Sequence, residues 1–244
     1  MTEPGQPSRG ALVPQTLRPV ARIIIGLCIL TVAVVGGFVA HGTGPTALDK
    51  AVANLLQPGF GPGGFHGSTV GLPLYFLLGS VRQLGGPVPM TVLTGLLCYC
   101  CIAMRRLRGA LLLAVAVIVA SSLTEFVLKP LFDRTLSGFL SFPSGHATAA
   151  FALAAGVVVL LIDPPGTRMP RSLRVVLSVF ALGIACLVAL GLVAWHQHYF
   201  TDTVAGAAVG IAIALSTALV LDRLAARRTR PATDAPRQSE HALT

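Results

Sequence analysis

The sequence predicts an all-α integral membrane protein with six transmembrane helices and a functional site at their extracytoplasmic ends. Three observations carry this reading. Hydrophobic residues make up 54% of the 244 and charged residues 11%, with a mean hydropathy of +0.78, well above the soluble average. Uncharged runs of about 18–22 residues, each long enough to cross a bilayer, recur along the chain. Basic residues gather in alternate connections between those runs, as orientation by charge requires.

Taken in order, residues 1–21 are polar and rich in Pro and Gly, and are predicted to form a disordered cytoplasmic tail. The first apolar run, Ile23–Ala40, lacks a cleavage site and reads as a retained anchor. After it comes "DKAVANLLQPGFGPGGFHGS", a short helical piece followed by Gly/Pro turns. Thr69–Val81 is apolar but only 13 residues long and contains Gly71, Pro73 and Gly79, so it is predicted to be interfacial or re-entrant. Spans follow at Pro87–Met104, Gly109–Leu128, Ser144–Ile162, Val175–Ala194 and Thr203–Leu221. The third carries one acid, Glu125. Residues 223–244 form a basic tail, expected to be cytoplasmic and disordered, which leaves 22–222 as one membrane domain.

Charge decides the number of crossings. Six spans place 14 of the 18 Lys and Arg on one side, leaving Lys50, Arg82, Lys129 and Arg134 opposite; a seventh span would split the basic groups. The rich side, with both termini, is predicted to be cytoplasmic. The net charge of +9 is therefore an orientation signal, and the absence of aromatic-basic interleaving argues against a nucleic-acid partner. The five cysteines, Cys28, Cys98, Cys100, Cys101 and Cys186, all lie in spans without paired spacing, which fits packing residues better than disulfides or a zinc site.

The polar residues of the sparse face converge from separate loops. "LSFPSGHATAAF" opens a span with Pro143, Ser144, Gly145 and His146. Unpaired N–H groups and the positive end of the helix dipole make such a start an anion site, although a simple cap explains Pro-Ser-Gly about as well. His198 and Asp202 stand at i and i+4, where a carboxylate fixes an imidazole tautomer; a structural pair is the plainer alternative. Lys129 and Arg134 add fixed positive charge, or else snorkel to headgroups. Glu125, four residues before Lys129, has the favourable order for a helical pair. It either neutralises Lys129 for insertion or aims its ammonium. Each plain reading stands alone, but none explains why these groups share one membrane face, where ionisable groups cost about 2.5–3.5 kcal/mol each at a helix centre and less near the ends. Two histidines, two cations and an N–H nest suit phosphoryl transfer without a metal or other cofactor: one imidazole attacks phosphorus, the other protonates the leaving oxygen, and the cations hold the remaining oxygens.

With "PSGH" at 143–146, "HYFTD" at 198–202 and "GAAVG" at 206–210, the chain resembles the type 2 phosphatidic acid phosphatases over roughly residues 85–222. These are integral-membrane enzymes whose site is shared with vanadium haloperoxidases. The resemblance implies that His198 is the nucleophile, Asp202 its orienting partner and His146 the general acid and then base. It implies that Lys129, Arg134, Ser144 and the Gly145 amide hold the phosphate. Two departures stand out. Arg134 follows Lys129 by five instead of seven, so the family's Arg-Pro falls on Leu136 and Ser137; its Ser-Arg falls on Gly191 and Leu192. The missing arginine removes a charge-assisted contact worth about 1.5–3 kcal/mol, for which His196 is a candidate replacement.

The implied substrate is a lipid phosphate or pyrophosphate reaching the site along the bilayer: phosphatidate, phosphatidylglycerol phosphate or a polyprenyl pyrophosphate. Only Lys50 and Lys129 of the 18 basic residues are lysine, which points to a GC-rich genome and a bacterial plasma membrane. Competing readings are a transporter or inactive family member using the cluster as an anion site, and a metal hydrolase built on His196, His198 and Asp202. Matching halves with interrupted helices, the mark of many transporters, are not seen, and Lys129 and Arg134 would repel a metal cation. His41 and His66 read as solvated loop residues, and Trp195 with Tyr199 as an interfacial belt.

Overall fold

The computed structural model describes residues 11–56, 59–61, 64–66, 71–162 and 169–228. The outer parts of both expected tails, residues 1–10 and 229–244, and the connection 163–168 lie outside them, as does part of the Gly/Pro stretch after residue 56.

The described chain is a bundle of helices. Helix α1 spans Arg18–Val39, with Pro19 in its first turn, where a missing N–H costs nothing. Helix α2, Ala47–Leu56, starts at a capping box: the Asp49 N–H donates to Thr46 Oγ1 (3.1 Å) and the Thr46 N–H to Asp49 Oδ2 (2.9 Å), satisfying two otherwise orphaned donors. A short hairpin, β1 (Gly59–Gly61) with β2 (Gly64–His66), follows. Helix α3, Gly71–Val81, runs into a 3-10 turn at Arg82–Gly85 and then, through a 65° bend, into α4, Pro87–Ala103. Helix α5, Leu107–Leu123, continues through a π turn at Thr124–Leu128 into the short α6, Lys129–Phe132. A second hairpin, β3 (Thr135–Leu136) and β4 (Phe139–Leu140), turns at Ser137 and Gly138 with φ of 51° and 83°, the two left-handed residues a type I′ turn requires. Helices α7 (Gly145–Ile162), α8 (Arg171–Ala194) and α9 (Phe200–Arg228) complete the bundle.

Five helical stretches are long and apolar enough to cross a membrane, and the bent α3–α4 pair makes a sixth. This agrees with six spans; of the apolar run over 69–81, the described part, α3, belongs to the bent element, in which the 3-10 turn at Arg82–Gly85 redirects the chain. The ends differ from expectation. Helix α1 begins at Arg18, inside the predicted tail, and α9 runs on to Arg228. Residues 11–17 are also held, since the buried Asp222 accepts the N–H groups of Leu12 (2.8 Å) and Val13 (2.9 Å) and pairs with Arg18 and Arg108. A carboxylate at that depth needs such partners.

Helix α7 is the axis of the bundle, with eleven buried residues. It packs closely on α9 because Gly206 and Gly210 lack side chains. A Cβ at Gly206 would lie 2.5 Å from the Ser144 carbonyl, and one at Gly210 would strike the backbone of Thr148 and Ala152. Small residues four apart are the usual means of such approach in a bilayer, where van der Waals contact drives helix association. Around this axis, Leu113, Ala116 and Ala120 of α5 and Ala185, Val188 and Leu192 of α8 fill the core. Ile23, Leu30 and Val34 of α1, Val88 and Val92 of α4 and Val179 and Phe180 of α8 point outward. In water such a surface would aggregate; in a bilayer it is the lipid-facing side.

Candidate active site

At one end of the bundle, a cavity of about 900 Å³ opens among α4, α5, the β3–β4 hairpin, the start of α7 and the α8–α9 connection. Its apolar wall includes Met90, Val117 and Ile118, and its polar floor carries Glu125, Lys129, Gly145, His146, His196 and His198.

His198 reaches this floor from the connection before α9. Its Nδ1 lies 3.0 Å from the Ser141 carbonyl oxygen and 3.7 Å from Asp202 Oδ2. Both neighbours are acceptors, so Nδ1 carries the proton and Nε2 keeps its lone pair. The expected His198–Asp202 pair is present, but the nearer orienting group is the Ser141 carbonyl, which no side-chain pattern signals. His146 stands one residue into α7, its ring centroid 6.4 Å from that of His198. Both rings line the same cavity, so a bound phosphate there has an imidazole on either side of it.

Lys129 and Glu125 form the expected helical pair, with Lys129 Nζ donating to Glu125 Oε2 at 2.8 Å. The π turn at Thr124–Leu128 carries Glu125; π turns often mark functional sites. The Glu125 carboxylate lies over Gly145, where a Cβ would collide with Oε1. Gly145 thus makes room for the Glu125 carboxylate beside the α7 N-terminus.

Two expected phosphate ligands lie elsewhere. Ser144 has no exposed surface, and its Oγ caps α7 by accepting the Ala147 N–H at 3.4 Å; here the plainer reading is what the structure displays. Arg134 is likewise fully buried. One of its amino groups donates to Asp202 Oδ1 (2.6 Å) and Thr201 Oγ1 (2.7 Å), the other to Asp49 Oδ2 (2.9 Å) and the Gly44 carbonyl (3.1 Å), and its guanidinium lies 4.2 Å over the Tyr199 ring. It stands behind the site, holding Asp202 against His198, with both amino groups committed to carboxylates.

Asp49, which the sequence reading passed over, is central to this support. It accepts the Thr201 N–H (2.8 Å) as well as Arg134. Burial alone would raise its pKa, but the N–H groups of Thr201 and Thr46 and the Arg134 guanidinium outweigh that and hold it below the usual carboxylate value. The Thr46-to-Asp49 capping spacing was the available signal. His196 lines the cavity with φ of 56°. This is the left-handed region that usually takes glycine at a helix end, and strain of this kind is typical of functional positions. Leu136 lines the cavity and Leu192 is fully buried, so neither replaces the charge of the arginines in the resembled pattern. Among the described residues, no three His, Cys, Asp or Glu side chains come together as a metal-ligand set would.

Comparison with known proteins bears on the family and the fold. The model of the PAP2 superfamily matches residues 40–226. A solved structure, the first transmembrane PAP2-type phosphatidylglycerolphosphate phosphatase from Bacillus subtilis, superposes with a TM-score of 0.61 at 19% identity, covering 85% of this chain and 98% of that one; at that identity the likeness is one of fold. No curated protein matches.

Proposed function

This chain belongs to the PAP2 superfamily, and from that membership and the site geometry we propose that it is a metal-independent phosphatase acting on a lipid phosphate or pyrophosphate through a phosphohistidine. The observation that carries the reading is the pairing of His198, its Nδ1 held by two acceptors, with His146 6.4 Å away across a cavity with an apolar wall.

In the first step, His198 Nε2 attacks phosphorus, the P–O bond to the lipid breaks, and His146 gives its proton to the departing oxygen. In the second, His146 takes a proton from water, the resulting hydroxide attacks phosphorus, and the P–N bond breaks to release inorganic phosphate. Lys129 and the amides at the α7 start stabilise the oxygens in both steps. Asp202, backed by Arg134, steadies the imidazolium-like charge on His198.

The substrate enters from the bilayer: Thr91 and Ile118 of the cavity wall are exposed and join the lipid-facing side, with the buried Met90 and Val117 behind them. The basic residues at the opposite helix ends, Arg18, Arg105, Arg106, Arg171 and Arg228, support a plasma-membrane protein with the site extracytoplasmic. Phosphate release from phosphatidate, phosphatidylglycerol phosphate and a polyprenyl pyrophosphate by purified protein, with EDTA and no added metal, tests the reading. Turnover of at least one lipid is expected. Activity that EDTA abolishes and zinc or magnesium restores would favour the metal hydrolase, and no activity on any lipid would favour an anion-binding role.

A further inference from the structure

Among the described residues lining the cavity, Lys129 is the single lysine or arginine, and Glu125 is already its partner. A doubly charged phosphate is poorly matched by so little positive charge. Arg82 stands close by on another element, and no carboxylate among the described residues pairs with it. It begins the 3-10 turn Arg82–Gly85, in which residues three apart eclipse one another, so it leaves the turn on the face of Gly85. That face is packed inward: a Cβ at Gly85 would lie 3.2 Å from His146 Cβ and 2.7 Å from Val188 Cγ1. Gly191 admits the turn to α8, since a Cβ there would lie 2.9 Å from Arg82 Cβ.

The guanidinium itself lies 4.9 Å over the ring of Trp195. Trp195 is fixed in turn: it stacks on Tyr75 with centroids 4.9 Å apart and planes 8° apart, and its Nε1–H donates to the Tyr75 carbonyl at 3.2 Å. The residue after Trp195 is the cavity-lining His196. Arg82 Nε is buried without a hydrogen-bond partner among the described residues, and none of the ion pairs among them includes Arg82. A cation held partly out of water with no counter-ion is costly, and an arriving anion removes the cost.

We propose that Arg82 binds a second anionic phosphate of the substrate, on the leaving-group side next to His146, and so selects lipids with two phosphate groups over those with one. This rests on the phosphatase reading above. The second phosphate belongs either to a diphosphate, directly bonded to the reacting one, or to a phosphodiester joined through glycerol, and substrate choice separates these sources.

The test compares kcat/KM of wild type, Arg82→Gln and Arg82→Lys on polyprenyl pyrophosphate, phosphatidylglycerol phosphate and phosphatidate. We expect Arg82→Gln to lose tenfold or more on at least one two-phosphate lipid and less than about threefold on phosphatidate, with Arg82→Lys between. The lipid that suffers identifies the source. Equal losses on all three, or none, overturn the proposal while leaving the phosphatase reading intact; wild type inert on every lipid overturns both. Should Arg82→Gln not fold, inhibition of wild type by inorganic pyrophosphate and by orthophosphate is read in its place. Pyrophosphate tighter by tenfold or more supports the proposal, and equal inhibition overturns it.

Discussion

Arg134 has no exposed surface, and both of its amino groups end on carboxylates. Removing one partner of such an arrangement leaves a buried charge uncompensated, at about 3–5 kcal/mol. Arg134→Met should therefore lower the melting temperature in detergent steeply and cut activity through loss of Asp202 placement. A variant that melts like wild type would show that the network is not structural. Asp49 adds a pH signature. Its folded pKa lies below the ordinary value, so its contribution is complete above the unfolded carboxylate pKa, near 4, and is lost as pH falls through the lower folded one. Wild type should lose stability on acidification below about pH 4, and Asp49→Asn should show a smaller loss over the same range, on a lower baseline. Parallel curves for the two proteins would contradict this assignment.

At the scale of elements, close helix contact depends on where glycine stands. At Gly210 an added methyl meets the backbone of α7, 2.7 Å from the Ala152 nitrogen, whereas at Gly183 of α8 nothing lies within 4 Å. Gly210→Ala should destabilise by about 1–3 kcal/mol through overpacking, less what helix propensity returns. Gly183→Ala should be neutral or stabilising by up to about 1 kcal/mol. Equal melting temperatures would mean that the α7–α9 contact is looser than described. The spans themselves were legible in the sequence, because run length and charge placement are local signals that the bilayer imposes. So were the meeting of His146, His198 and Lys129 around one cavity and the small-residue spacing of α9. What was not legible came from long-range pairing: Arg134 meets Asp49 across 85 residues, and neither one's neighbours reveal it. Ser144 was ambiguous for a different reason, since a helix cap and a phosphate ligand call for the same residue at the same place.

Viewed whole, the molecule divides its charge between two ends with different tasks. One end fastens the chain, with Asp222 binding the backbone of Leu12 and Val13 and the side chains of Arg18 and Arg108. The other holds a cavity lined by two imidazoles with ring centroids 6.4 Å apart, His198 being backed by the Asp49–Arg134–Asp202 network. The apolar belt between them keeps both ends at the membrane surfaces. The central claim is that phosphate passes through His198. Brief incubation with a lipid labelled with radioactive phosphorus on its reacting phosphate, followed by a denaturing quench at high pH, tests it directly. The account predicts a protein-bound label that is stable to base and labile to acid. It should be absent from His198→Ala and present in His146→Ala, where it accumulates if loss of the base slows hydrolysis more than loss of the acid slows attack. Turnover by wild type with no label trapped under any quench, or a label that persists in His198→Ala, would contradict it.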